Sequence, residues 1–117
     1  MGKPERKAPW WAVILSSKAQ LRLHRDDVAS TVCRVLGLDE NDVTGPGRKR
    51  ELGDARRIIA HYAVRNLKLS LTEAGSLIGG RDHTTVLSAI RDHDGLMSSD
   101  KAYREKYQAF MREVEGR

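Results

Sequence analysis

"GGRDHTTVLSAI", residues 79–90, is the stretch on which the fold turns. Gly79 and Gly80 admit backbone angles that break a helix. Asp82 follows at a favoured helix-capping position, and Asp82, His83, Thr84 and Thr85 crowd the first turn of the next helix, which is expected to run from about Asp82 to His93. Val86, Leu87 and Ile90 are spaced to pack inward on one side, leaving the polar cluster at the tip. Just upstream, "TEAGSLI" reads as a short helix begun by Ser70 or Thr72. Two helices joined by a short glycine turn form the pattern of a helix-turn-helix, whose second helix enters a DNA major groove amino end first.

The tip residues suit that chemistry. Aspartate accepts from cytosine N4, histidine donates or accepts, and threonine offers a hydroxyl beside a methyl that meets the thymine methyl. The helix amino end favours a phosphate, adding backbone donors to the hydroxyl of Thr84 or Thr85. The plainer alternative is that Asp82 and Thr85 only cap the helix while His83 lies on the surface.

Further out, helical spacing recurs. Asp26 or Asp27 is placed to cap a helix with Val28, Ala29, Val32, Cys33 and Leu36 on one stripe, ended by Gly37. "LDENDV" reads as a turn or a single helical turn, and "TGPG" breaks the chain before the charged run "RKRELGDARR". Asp54 is expected to cap the following helix. Its buried stripe is Ala55, Ile58, Ile59, Tyr62, Ala63 and Leu67, with Arg56, Arg57, His61 and Arg65 largely on the opposite, cationic side. After "HDGLMSSD", Asp100 caps a last helix carrying Tyr103, Tyr107, Phe110, Met111 and Val114 on one face. The expected class is all-α, a compact helical bundle.

Composition narrows the partners. The 117 residues hold 21 lysines and arginines against 16 acidic residues, a formal charge of +5 that points to a polyanion such as nucleic acid. One cysteine, Cys33, allows no internal disulfide and no cysteine-rich zinc site, and its place on an apolar stripe marks a packed thiol. The longest apolar run, "WWAVIL" from Trp10 to Leu15, falls far short of the roughly 18 residues needed to span a bilayer. The expected location is therefore cytoplasmic and nucleoid-associated, with no membrane contact. Residues 1–25 read as a basic arm followed by an apolar strap, and 26–117 as the domain.

"GGRDHTTVL" closely resembles the signature of the carboxy-terminal DNA-binding domain, domain IV, of the bacterial chromosomal replication initiator DnaA. The likeness continues back through "RKRELGDARRIIAHYAVRNLKLSLTEAGSLI" and covers about residues 26–114. It implies a Trp-repressor-like helix-turn-helix that binds double-stranded DNA at short asymmetric boxes resembling TTATCCACA. Carried over position by position, Asp82, His83 and Thr84 read base edges in the major groove and Thr85 holds a phosphate. Arg48, with Arg50 beside it, enters the minor groove, where an A·T-rich sequence favours arginine. Arg56 grips the DNA backbone, joined in phosphate contact by Lys49, Arg57 and Arg81, the last also positioning the turn. Arg57 stands where the family usually has glutamine, Val64 where some members carry a basic residue, and Ser88 where histidine is frequent. Ala74 and Ile78 replace a bulkier pair, so the preferred box is open. No "GxxxxGK[ST]" loop is present, so the ATPase of the full initiator is not expected. The start "MGKPERKAPWW" is unlike an interdomain linker, and a stand-alone relative acting in or regulating replication initiation is expected.

Two other readings compete. A catalytic one would use "RDH", or His93 with Asp94, as metal ligands, but the spacing repeats no histidine-carboxylate pattern; neither catalysis, a cofactor nor a bound metal is expected. A protein-binding one rests on "QLRLH", Gln20 to His24, which faintly resembles the peptide that holds the bacterial sliding clamp. Its alternative is that Leu21 and Leu23 simply pack on the core. The initiator itself is another conceivable partner, and a transcription regulator another use of the same domain. An asymmetric box favours a monomer over a symmetric dimer.

Overall fold

In the computed structural model, which describes residues 23–116, every regular element is a helix. These are α1 (Arg25–Leu36), α2 (Glu40–Thr44), α3 (Arg50–His61, continued by a π-helical turn, Tyr62–Asn66), α4 (Leu71–Leu77), α5 (His83–Ser99) and α6 (Lys101–Glu115). Helix α3 packs against α1, α2, α4 and α5, and α6 closes over α1 and α5. The all-α bundle with a helix-turn-helix is thus present, formed by α4 and α5 across the turn at Gly79 and Gly80.

Helix α1 starts one residue before the expected caps. His24 Nδ1 accepts from the Asp26 amide at 3.1 Å, and Asp26 and Asp27 lie in the first turn, where carboxylates complement the helix dipole. Val28, Val32 and Cys33 are buried, and burial raises the Cys33 thiol pKa to about 11, as befits a packing residue. Leu23 is buried too, its amide donating to the Tyr62 hydroxyl at 3.0 Å, so half of the leucine pair in "QLRLH" serves the core. The rest of the arm and strap, Gln20 and Leu21 included, lies outside the described residues.

Helix α3 corrects two expectations. It begins at Arg50, because Leu52, 6 % exposed, already belongs to the stripe that Ala55, Ile58 and Ile59 continue. Asp54 is consequently not a cap but a mid-helix carboxylate, 2 % exposed, that accepts from Arg57 Nη1 at 2.9 Å and Lys106 Nζ at 2.8 Å. His61, placed on the cationic side by its spacing, is instead buried, its ring stacked on that of His93 at 3.7 Å between centroids. Two uncharged imidazoles pack as aromatic rings do, and burial, the largest cause in each case, lowers both pKa values to about 4.

Ser70 caps α4 through a capping box, accepting from the Glu73 amide while Glu73 Oε1 accepts from the Ser70 amide. The close turn depends on two glycines. A Cβ on Gly75 would lie 2.0 Å from the Arg81 carbonyl oxygen, and one on Gly79, whose φ is +93, would lie 2.0 Å from the Thr44 carbonyl oxygen. Helix α5 then runs 17 residues, well beyond His93. Gly95 does not stop it because Leu96 and Met97 keep packing on the core, and only Asp100, the cap of α6, ends the run. Leu87 is a further correction: with Val86, Ile90 and His93 facing inward, it points outward and is 45 % exposed.

Candidate nucleic-acid interface

The tip of α5 is exposed at Asp82, His83, Thr84 and Thr85, directly before the buried Val86. Asp82 Oδ1 accepts from the Thr85 amide at 2.8 Å. That bond, followed by one with the Thr85 side chain, holds the Asp82 carboxyl below its ordinary pKa, so the residue is an anion fixed at the helix start. The capping alternative is therefore real for Asp82, while His83 and Thr84 stay exposed. Leu87 and Ser88 extend the open face by another turn.

Beside the tip lies the loop between α2 and α3, and its shape is set by two arginines. Arg56 Nε donates to the Val43 carbonyl at 2.7 Å, Nη1 to that of Gly47 at 2.7 Å, and Nη2 to those of Asp42 and Gly45 at 3.0 and 2.9 Å. Four of its five N–H groups are thus used within the protein. Burial and, secondarily, the neighbouring Arg81 charge lower its pKa. Arg81 bonds the Ile78 carbonyl and, at 2.8 Å, the Gly45 carbonyl, tying the helix-turn-helix turn to the same loop. The expectation of Arg56 as a backbone-gripping residue thus meets a side chain engaged in holding the loop.

The loop in turn presents the basic triplet. Arg48 and Lys49 are exposed, and their side chains have no hydrogen-bond or ion-pair partner among the described residues. Arg50, in contrast, starts α3 and pairs with Asp100, which directs it toward the start of α6. Between α3 and α5 runs a groove edged by Arg57 and Arg81 and by the hydroxyl residues Thr84, Thr85 and Ser88. Arg57 is held there by Asp54, with Asp92 3.9 Å from its Nε. Cationic groups, hydroxyls and the amino end of α5 converge on this groove, an arrangement suited to phosphate oxygens.

Sequence reasoning did not separate the loop-building bonds of Arg56 from ligand contacts, since carbonyl acceptors leave no mark in side-chain pattern. Leu87 was missed for a nearer reason: at 100° per residue it sits on the border of the apolar stripe, and spacing alone did not settle its side.

A short helix, a glycine turn and a long helix with a polar, exposed amino end, backed by a cationic loop, define a helix-turn-helix protein. Residues 25–92 match the bacterial dnaA protein helix-turn-helix, and the chain belongs to that family. It is 45% identical over 76 residues to the chromosomal replication initiator protein DnaA of Thermus thermophilus, covering 64% of this chain and 17% of that protein. The corresponding protein of Xanthobacter autotrophicus is 37% identical over 92 residues, covering 78% and 18%. That of Herpetosiphon aurantiacus is 31% identical over 93 residues, covering 80% and 20%. The chain spans a fifth or less of the length of these relatives.

Proposed function

We propose that this protein binds double-stranded DNA sequence-specifically, at boxes of the kind implied by its family, and acts as an accessory or regulator of chromosomal replication initiation. The observation that carries the reading is the exposed tip Asp82-His83-Thr84-Thr85, opening a helix beside the loop that offers Arg48 and Lys49. In this reading α5 lies in the major groove with Asp82, His83 and Thr84 on base edges. Thr85, Arg57, Arg81 and Lys49 take phosphates, and Arg48 reaches the adjoining minor groove. Arg50 joins it only by giving up its pairing with Asp100. Arg56 acts mainly through the loop it holds, a change from a direct phosphate grip.

In this reading residues 26–117 form the binding domain, residues 1–25 its basic arm and apolar strap, and one monomer occupies one asymmetric box. The mechanism is recognition rather than chemistry, and its place is the nucleoid. Among the described residues no helix is long and apolar enough to cross a membrane.

The test is fluorescence anisotropy of the full chain on a labelled TTATCCACA duplex and on a scrambled one, across a salt series. Specific recognition gives a preference of about a thousandfold or more. Equal affinities that fall steeply with salt would reduce the interface to backbone attraction and overturn base reading.

A further inference from the structure

Away from the proposed DNA face, the end of α3 meets the middle of α5 at a group of histidines that DNA binding does not use. His61, His93 and Asp94 each offer one ligand atom, all within 4.8 Å of one another. The two rings are not equivalent in their bonding. His93 Nδ1 lies 2.6 Å from the Tyr103 hydroxyl, which leaves Nε2 for another partner. His61 Nε2 has the Tyr107 hydroxyl at 3.4 Å, while its Nδ1 is buried and without a hydrogen-bond partner in a residue only 9 % exposed. A buried nitrogen left without a partner destabilises the fold, so a histidine in this position has something to gain from a ligand.

Metal-binding histidines usually have one ring nitrogen on the metal and the other in a supporting hydrogen bond that fixes tautomer and orientation. Tyr103 stands in the supporting place for His93, and Tyr107 for His61. Asp94 supplies the anion, its two carboxylate oxygens accepting from Arg65 at 2.6 and 2.7 Å and its pKa lowered chiefly by that bond. Both imidazoles are uncharged at neutral pH, the state in which they ligate.

We propose that His61 Nδ1, His93 Nε2 and an Asp94 carboxylate oxygen bind one divalent transition-metal ion, with Zn2+ the reference ion and water in the fourth position. Two nitrogens and one carboxylate suit Zn2+, Co2+ or Ni2+ and disfavour Mg2+ and Ca2+, which prefer all-oxygen sets. The rings are stacked at 21° between planes, so their in-plane lone pairs lie in two nearly parallel planes and do not meet at one point. Binding therefore opens the stack by side-chain rotation and draws one Asp94 oxygen from Arg65 until each ligand is about 2.0–2.2 Å from the metal. The ion would fasten α3 to α5, the helix bearing the polar tip, without touching the tip itself.

The full chain, stripped of metal with a chelator that is then removed, is titrated with Zn2+ by calorimetry, with thermal unfolding in parallel. One ion per chain and a rise in the unfolding midpoint are expected. His61→Phe keeps an aromatic ring in the stack and Asp94→Asn alters an exposed group; each should weaken binding about tenfold or more and remove most of the midpoint rise. Co2+ should give the intense visible bands of a tetrahedral site without a thiolate charge-transfer band, because Cys33 is not a ligand. If His61→Phe does not fold, Asp94→Asn and the Co2+ spectrum decide. No binding by the full chain, or Zn2+ affinity and stabilisation unchanged in the folded variants, would overturn the proposal and assign any bound ion to other histidines such as His24 or His83.

Discussion

Arg56 and His83 show how two residues beside the same interface act by different routes. Arg56 holds four carbonyl groups, two at the end of α2 and two in the loop that carries Arg48 and Lys49, so removing it should unfix the loop as well as weaken DNA binding. Arg56→Ala is expected to lower stability by about 2–3 kcal/mol, the scale of hydrogen bonds to a charged donor, and to weaken specific and scrambled DNA alike. Arg56→Lys should not restore the loop, because a single ammonium cannot span carbonyls that a planar fork reaches. His83→Ala and Thr84→Ala change exposed side chains and should leave unfolding unchanged while costing about 1–3 kcal/mol of binding, mainly on the preferred box. Urea unfolding beside anisotropy on both duplexes separates the routes, and uniform loss for the tip variants would contradict base reading. The tip was legible in the sequence because a capping aspartate, a polar turn and an apolar stripe are local features. The work of Arg56 was not, since its acceptors are backbone groups 9–14 residues away, brought to it only by the closed loop.

At the scale of the elements, sequence pattern located five of the six helices and left "LDENDV", which forms α2, open between a turn and a helical turn; the errors fell at ends and borders. Stripes of Val28, Val32 and Cys33, or of Tyr103, Phe110 and Val114, repeat with the helical period whatever surrounds them, and the structure buries all six. Ends depend on what packs beyond them. Helix α5 passes through Gly95, where an added Cβ would meet no atom within 4 Å, while Leu96 and Met97 gather against the core. Gly95→Ala should therefore stabilise the protein by about 0.5–1 kcal/mol, by removing the glycine's entropic cost inside a helix. Had the helix stopped at His93 and left Gly95 as a left-handed cap, the same change would strain the backbone and destabilise. The sign of the shift in a urea midpoint thus reports the length of the helix on which the proposed recognition surface is carried.

Across the whole molecule, the bundle is joined by charged contacts as well as by its apolar core, and Asp54 is the central case. Its carboxylate, read as a cap because it precedes an apolar run, lies between α3 and α6, one oxygen on Arg57 and the other on Lys106. Sequence spacing had no means of showing this, because Lys106 is 52 residues away and its stem reaches Asp54 only after α6 has folded back. The two roles predict different mutational patterns. A surface cap would lose about 0.5–2 kcal/mol on Asp54→Ala and recover most of it on Asp54→Ser, since serine caps nearly as well. A buried carboxylate shared by two cations should lose about 3–5 kcal/mol on Asp54→Ala, with Asp54→Ser no better, because serine carries no charge for Arg57 and Lys106. Lys106→Met should cost less than either, as Arg57 still holds one oxygen and the methionine keeps an apolar stem against the bundle. Arg57 also edges the groove beside Thr84 and Thr85, so releasing it from Asp54 should alter DNA affinity with little effect on the preference between boxes. Unfolding and anisotropy on the four proteins, wild type included, would establish whether the contact that closes α6 over the bundle also sets the position of a proposed phosphate-binding arginine; full recovery of stability by serine would return Asp54 to the role of a cap.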